Sequence, residues 1–269
     1  MFPGASSVPP DDAAYGIHGA PLDRSTSFVP GTRFGPAEVR RAAQGFEDYD
    51  HATDQSFSQL SVSDFGDLHA WSDAEEYLSF LAGELSDIAG IPILLGGEHT
   101  VSVAGVRATE PDLFVTVDAH LDLRSSLDGD PWSHATVSHH VREAGIDVTI
   151  LGARAGAADE WERAETDPHV RVVPVDSVSA WLAETELSDR DVYLSVDIDG
   201  VDPAFAPATG TREPFGLSAE TVRDVVRQLA PGALGFDVVE VNDRDDGQTA
   251  TLAAKLVRRF IFDHAAVHT

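Results

Sequence analysis

The chain of 269 residues carries 46 acidic and 18 basic side chains, so its formal net charge is -28, and 42% of its residues are hydrophobic. That hydrophobic content is enough for a folded core and excludes a disordered acidic tail, while the negative charge disfavours nucleic acids and membrane surfaces as partners. Cysteine is absent, which excludes disulfides, thiolate metal sites and cysteine nucleophiles.

The start of the chain and its charge composition predict a cellular setting. Residues 1–16 contain no basic segment followed by an apolar run, so we expect no signal peptide. No stretch approaches the roughly 18 apolar residues of a membrane span, and a cytoplasmic protein is expected. Lys255 is the only lysine, and this acidic, lysine-poor composition predicts adaptation to a high-salt cytoplasm, where counterions screen self-repulsion.

Short apolar runs alternate with amphipathic segments along the chain. After a Pro-rich start at residues 1–11, which we expect to be flexible, the predicted strands are 13–18, 91–95, 113–117, 148–151, 170–175, 192–196 and 233–239. Predicted helices begin at a capping box of Ser72 and Glu75, at Ser218, and near Thr249, the last ending near Phe262. This alternation predicts an α/β fold of one domain, 1–269, with helices on both faces of a mostly parallel sheet.

Polar residues follow four of the predicted strands directly. They are GGEHT at 96–100, DAHLD at 118–122, DIDGVDP at 197–203 and EVND at 240–243. Ligands of open α/β sheets bind beyond the carboxyl ends of the strands. We therefore expect the four clusters to converge on one site.

The spacing within these clusters indicates a metal centre. Chance placement predicts about 0.1 occurrences of Asp-x-His-x-Asp in this composition, yet the motif occurs once, directly after strand 113–117. Alternate residues of an extended segment point the same way and can share a face. The candidate ligands are His99, His120, Asp118, Asp122, Asp197 and Asp199. Carboxylates with imidazole suit Mn(II), with Mg(II), Fe(II) or Co(II) as alternatives, and four carboxylates balance two ions better than one.

These motifs make the sequence recognisable. It resembles the ureohydrolase (arginase/agmatinase) family over nearly its whole length, and within that family the archaeal-type agmatinases. The resemblance rests on six motifs in order: YGI at 15–17 through PGTRFGP at 30–36, GGEHT at 96–100, DAHLDLR at 118–124, SHAT at 133–136, SVDIDGVDPAFAPATGT at 195–211 and DVVEVN at 237–242. It implies the arginase-like fold, a three-layer αβα sandwich.

The resemblance also implies a role for each site residue. One Mn(II) ion would be held by His99, Asp118, Asp122 and Asp197, and a second by Asp118, His120, Asp197 and Asp199. Asp122 would help to move a proton. His134 would relay protons with a pKa near neutral pH, and Glu240 would pair with the substrate guanidinium.

Three departures from the family pattern bear on these roles. Glu98 and Thr100 stand where the family usually has Asp and Ser, beside the ligand His99. Asn242 and Asp243 follow the Glu-Val pair, where Pro or Ala-Pro is common. Arg124 follows the Asp-x-His-x-Asp motif, and the residues expected to hold an α-amino acid head group are missing, which argues against arginine as substrate.

The implied function is hydrolysis of agmatine to putrescine and urea, a step of polyamine synthesis. Hydrolysis of another guanidino compound stays open: aminopropylagmatine, guanidinobutyrate, formimidoylglutamate or arginine. Arg124 keeps the guanidino acids under consideration because it can pair with a carboxylate. A single-zinc deacetylase of similar fold and a non-catalytic metal-binding homologue are less favoured, since the full ligand set, His134 and Glu240 are present. The expected partner is a small cationic guanidino substrate, and the resemblance suggests a homotrimer or homohexamer.

Overall fold

Ten strands are present in the computed structural model, which describes residues 1–6, 8–187 and 189–268. They are β1 (Tyr15–Ala20), β2 (Tyr49–Asp50), β3 (Gln55–Ser56), β4 (Val62–Asp67), β5 (Ile91–Gly96), β6 (Leu113–Val117), β7 (Asp147–Leu151), β8 (Val170–Val173), β9 (Val192–Asp197) and β10 (Ala233–Val239). Eight of them form a sheet in the order β4-β1-β5-β10-β9-β6-β7-β8, and every neighbouring pair is parallel. Strands β2 and β3 form a separate antiparallel pair.

In the described part of the chain, eight α-helices cover the two faces of this sheet. They are α1 (Gly35–Ala43), α2 (Ala74–Ser86), α3 (Ser102–Thr109), α4 (Val137–Glu143), α5 (Ala158–Thr166), α6 (Val178–Glu184), α7 (Ala219–Leu229) and α8 (Gln248–His268). Alternate residues of the central strands pack against α1, α6, α7 and α8 on one face and against α2 to α5 on the other. The predicted single-domain, three-layer αβα architecture is confirmed. None of the described helices has the length and hydropathy needed to cross a membrane.

Several predicted boundaries differ from the observed ones. Helix α2 is capped by Asp73, whose carboxylate accepts from Glu76 N at 3.0 Å, and not by Ser72. An aspartate one position later offers a charged acceptor to the positive end of the helix. Helix α7 begins after the cap Ser218, as predicted.

Two further differences concern the start of the chain and the edge of the sheet. The Pro-rich start packs on the domain where we expected flexibility: Phe2 is 1% exposed and lies 5.8 Å from the ring of Phe57. The edge strand β4 was not predicted, because Asp64 and Asp67 interrupt its apolar pattern. Both carboxylates contact the guanidinium of Arg40, which allows the strand to bury Asp64 while Asp67 stays at its exposed end.

The order of the strands positions the site. The chain crosses from β5 to β6 three positions along the sheet, and β9 and β10 later fill the gap. The four strands with polar residues at their carboxyl ends are therefore neighbours, β5-β10-β9-β6. A reversal of this kind creates the crevice in which α/β proteins bind ligands.

Candidate metal centre and active site

The end of β5 places His99 inside the protein. A Cβ at Gly97 would lie 2.0 Å from the carbonyl oxygen of Leu22, so only glycine allows this close approach of two backbone segments. The chain then turns into the short 3-10 helix His99–Val101, and His99 has no exposed surface (0%). The glycines of the GGEHT motif thus fix the direction of the first candidate ligand.

The carboxylates that follow β6 and β9 are held by their own turns. His120 N donates to Asp118 Oδ1 at 2.7 Å, and Asp199 N donates to Asp197 Oδ1 at 2.9 Å. Asp122 has a φ of 51°, in the left-handed region that costs a non-glycine residue about 1–3 kcal/mol. The fold therefore stabilises a strained backbone in order to aim Asp122 at the site.

All six predicted ligands come together. His99 Nδ1 lies 3.0 Å from Asp122 Oδ2, 3.1 Å from Asp118 Oδ2 and 3.4 Å from Asp197 Oδ2. His120 Nδ1 lies 3.0 Å from Asp199 Oδ2 and 3.6 Å from Asp118 Oδ1.

Two groups of three residues have ligand atoms within 4.8 Å of one another: His99, Asp118 and Asp197, and Asp118, His120 and Asp199. Asp118 belongs to both groups and so is placed to bridge two ions. Its Oδ2 is buried without a hydrogen-bond partner among the described residues, and a cation would satisfy that oxygen. The donor set of carboxylate oxygens and imidazole nitrogens fits divalent metal ions.

The charges of the cluster are unbalanced without a cation. Burial and the neighbouring Asp118 raise the pKa of Asp122 to about 7. Burial and the nearby Asp199 raise the pKa of Asp197 well above its usual value. Burial alone would lower the pKa of His99, but the adjacent carboxylates of Asp118 and Asp122 raise it well above normal. In the metal-free protein, protons therefore take the place of the missing positive charge.

Glu240 and His134 occupy different places around this cluster. Glu240 is 3% exposed, has a φ of 61°, and its Oε1 accepts from His99 N at 2.8 Å. Burial and the negative Glu98 raise the pKa of Glu240 well above normal. The ring of His134 lies between two hydroxyls, with Ser25 Oγ 3.0 Å from Nδ1 and Ser27 Oγ 3.0 Å from Nε2. Burial and the positive His120 lower the pKa of His134 to about 4, so the expectation of titration near neutral pH is wrong for the metal-free protein.

A cavity of about 320 Å³ opens beside the cluster, and His120, Asp122 and His134 line it. Arg124 lines it too, with its Nε 3.1 Å from the buried carboxylate of Glu160. Glu213 contributes another wall. A larger cavity of about 450 Å³, between the segment after α1 and helices α7 and α8, contains none of the predicted site residues.

Two supporting groups were not predicted from the sequence. His99 Nε2 lies 3.2 Å from Ser195 Oγ, which donates to Asp237 Oδ1 at 2.6 Å, and Tyr193 OH donates to Asp237 Oδ2 at 2.9 Å. This series of hydrogen bonds orients the His99 ring so that Nδ1 faces the carboxylates. Hydrogen-bond partners of metal-binding histidines commonly act in this way. An aspartate inside the apolar strand β10 was the available signal.

The second supporting group is the guanidinium of Arg154. It donates to five backbone carbonyls, those of Gly152, Asp199, Gly200, Glu213 and Pro214. It therefore ties the turn that contains the candidate ligand Asp199 to the loop that carries Glu213. Nothing in the local sequence around Arg154 indicates these long-range contacts.

Comparison with known proteins places the chain in a family. The sequence profile of the arginase family matches residues 13–262 of this chain. The chain is 35% identical to the agmatinase of Pyrococcus horikoshii over 258 residues, covering 91% of this chain and 90% of the relative. It is also 35% identical to the N(1)-aminopropylagmatine ureohydrolase of Thermococcus kodakarensis over 261 residues, covering 93% and 90%.

The fold gives the same result. The crystal structure of the agmatine ureohydrolase of Thermoplasma volcanium matches with a TM-score of 0.90 and 33% identity, covering 99% of this chain and 94% of that one. The family profile, the relatives and the solved structure agree with one another. The chain belongs to the arginase family.

Proposed function

We propose that this arginase-family protein is an agmatinase, which hydrolyses agmatine to putrescine and urea at a pair of Mn²⁺ ions. The observation that carries the proposal is the position of Asp118, shared by two groups of ligands beside a cavity that also contains His134. Membership of the family supplies the reaction class, hydrolysis of a guanidino C–N bond.

The residues that would hold the ions are those of the cluster: His99, Asp118, Asp122 and Asp197 for one, and Asp118, His120, Asp197 and Asp199 for the other. Mn²⁺ is favoured because carboxylates and imidazoles are its usual ligands. When bound, the ions would lower the pKa of a water molecule and stabilise negative charge on the reacting centre.

Three side chains do the remaining chemistry. The carboxylate of Glu240 pairs with the guanidinium and orients its carbon towards the cluster. Asp122 accepts a proton from the attacking water and passes it towards the leaving nitrogen. His134 lines the cavity beside the cluster, where its imidazole can accept a proton and deliver it to the departing amine.

The charges of the cavity favour an amine over an acid at the far end of the substrate. Arg124 is the only arginine among the described residues that line the cavity, and its charge is balanced by Glu160. Glu213 lines the same space, so a second cationic group meets a negative wall. This disfavours guanidinobutyrate and formimidoylglutamate. N(1)-aminopropylagmatine is the second candidate, because the Thermococcus enzyme is as similar to this chain as the Pyrococcus agmatinase.

The test is urea release with Mn²⁺ from a panel of agmatine, N(1)-aminopropylagmatine, arginine and guanidinobutyrate, each at low and high salt. We expect kcat/KM to be highest for agmatine. A preference for arginine or a guanidino acid would overturn the agmatinase assignment, and no release from any of them would overturn the enzyme assignment. A trimer or hexamer, a cytoplasmic location and salt adaptation stay predictions, and the salt arms of this assay test the last.

A further inference from the structure

The loop at residues 21–33, between β1 and α1, covers His134 with two serines. Ser25 Oγ lies 3.0 Å from His134 Nδ1 and also accepts from His134 N at 3.0 Å. Ser27 Oγ lies 3.0 Å from His134 Nε2 and lines the cavity. Both ring nitrogens are thus engaged, one on the buried side and one on the cavity side.

Glu98 holds this loop from below. It is 1% exposed, and its carboxylate accepts from Arg24 N, from Ser25 N at 3.1 Å and from the Ser25 hydroxyl. Its Oε2 is 4.0 Å from His134 Nδ1, too far for a hydrogen bond. Glu98 therefore reaches His134 by hydrogen bonds through Ser25 and not directly.

The hydrogen-bonding capacity of the Ser25 hydroxyl determines which nitrogen of His134 is protonated. A serine hydroxyl has one proton to donate and two lone pairs to accept with. The Ser25 proton goes to Glu98, and one lone pair takes the backbone N–H of His134. The remaining lone pair faces Nδ1, so the 3.0 Å contact requires a proton on Nδ1. The Ser133 hydroxyl is 3.5 Å from the same nitrogen, at the limit of a hydrogen bond, and is the weaker partner. The neutral ring is left with its lone pair on Nε2, at the cavity side.

We propose that Glu98 is a positioning residue which, through Ser25, sets the tautomer of His134 so that Nδ1 is protonated and Nε2 is the atom that accepts and delivers the proton in the reaction. The inference rests on the proposed role of His134 as proton relay. It gives a role to the glutamate at a position where the family pattern usually has an aspartate.

The direct test is the ring tautomer of His134 in the metal-free, full-length protein. Two-bond ¹H–¹⁵N correlation spectra of ¹⁵N-histidine-labelled protein report which ring nitrogen is protonated, and His134→Asn assigns the signals. We expect protonated Nδ1 in the wild type and a mixture of tautomers in Glu98→Gln, because the amide can donate to Ser25 as well as accept. Glu98→Asp, which keeps the carboxylate, should restore Nδ1 protonation.

Asp23→Asn is the matched control. Asp23 holds the same loop through Thr26 Oγ1 at 2.9 Å and Gly31 N at 3.0 Å, without touching His134 or Glu98. We expect the wild-type tautomer in this variant. A wild-type protein with protonated Nε2, or a Glu98→Gln protein with an unchanged tautomer, would overturn the proposal whatever the activity.

Kinetics separate positioning from general support of the structure. Glu98→Gln should lower kcat about 10- to 100-fold with little change in KM, the usual effect of a partner behind a functional group. In a His134→Asn background the same change should lower kcat less than about twofold, because the group it positions is gone. An equal loss in both backgrounds would assign Glu98 a structural role. If the tautomer is as expected but no guanidino compound releases urea, the proposed function fails and the positioning of His134 stands.

Discussion

Buried carboxylates at the sheet edge and at the strand ends differ in how their negative charge is neutralised. At the sheet edge, Asp64 has no exposed side-chain surface, and Arg40 donates to its two oxygens at 2.7 and 2.8 Å. Burial acts to raise the pKa of Asp64, but Arg40 outweighs it and the pKa is lowered. At the strand ends, Asp122 and Asp197 are as deeply buried and their pKa values are raised.

The difference lies in where the balancing cation comes from. The edge carries its own guanidinium within the chain, so the pair is complete on folding. The central cluster has more carboxylates than imidazoles, and its balance must come from protons or metal ions. A carboxylate cluster that the chain leaves unbalanced is the mark of a binding site rather than of a structural ion pair.

The largest expected effect is on activity. Asp197→Asn should reduce urea release at least about 1,000-fold, because it removes a residue that the proposed function assigns to both metal ions. The metal-free variant should unfold at the same temperature as the wild type or higher, since a repelled carboxylate is lost. Asp224→Asn, at an exposed pair with Arg223, serves as control and should keep full activity. Near-normal turnover by Asp197→Asn would contradict the ligand assignment.

At the sheet edge, loss of a charged side chain should lower stability and leave activity unchanged. Arg40→Met should lower the free energy of unfolding by about 3–5 kcal/mol, because Asp64 is left buried and unpaired, while the folded fraction keeps its activity. Arg41→Met removes the neighbouring arginine, whose side chain is 71% exposed and pairs with Glu38, and should cost less than about 1 kcal/mol. Urea denaturation of the metal-free proteins measures both, and equal losses would refute the contrast.

The two regions should also give opposite pH dependences. Asp122 titrates at about 7 in the folded protein and at about 3.9 when unfolded, so the folded state holds more protons between these values. Asp122 by itself should therefore make the stability of the metal-free protein fall as the pH rises from about 4 to about 7, whereas the lowered pKa of His134 acts the other way between about 4 and 6.5. The lowered pKa of Asp64 acts the other way, and its contribution is lost as the pH falls below about 4.

Bound metal ions should abolish the loss of stability with rising pH that arises from Asp122. At a free Mn²⁺ concentration 100 times the Kd, one site stabilises the fold by about 2.7 kcal/mol, and the gain should grow with pH because protons compete for the same carboxylates. Thermal unfolding at pH 5 and pH 7.5, with and without Mn²⁺, measures this. A gain that is larger at pH 5 would rule out competition between protons and the metal.

A smaller effect, on Mn²⁺ affinity, is expected from the side chains that orient His99. Asp237→Asn disturbs the hydrogen-bond chain that orients His99 and should weaken Mn²⁺ binding about 10- to 100-fold. Tyr193→Phe removes only one donor to Asp237 and should have less effect. Metal titration of both variants tests this order, and unchanged affinity in Asp237→Asn would mean that the ring of His99 is oriented by other contacts.

The sequence predicts what depends on local pattern. The four central strands are apolar and short, and each ends in a polar motif, so their place in a parallel sheet and their convergence could be inferred. The same logic failed at β4, where Asp64 and Asp67 break the apolar pattern and a distant arginine pairs with the buried Asp64.

Long-range contacts account for what was missed at the site. Ser25 and Glu98 are 73 residues apart, and Ser195 and Asp237 are 42 apart, so no local spacing connects them. The lowered pKa of His134 likewise depends on burial by the loop at residues 21–33 and on His120, neither of which the SHAT motif reveals. The sequence identifies the candidate ligands, whereas the groups that hold them become visible only in three dimensions.

The most direct test of the charge imbalance at the strand ends is titration of the metal-free protein with Mn²⁺ by calorimetry at pH 7, in buffers of different ionisation enthalpy. We expect two ions bound per chain together with release of protons, because each ion takes over from protons at the buried carboxylates. Binding of a single ion, or of two ions without proton release, would contradict a cluster built to be balanced by a metal pair.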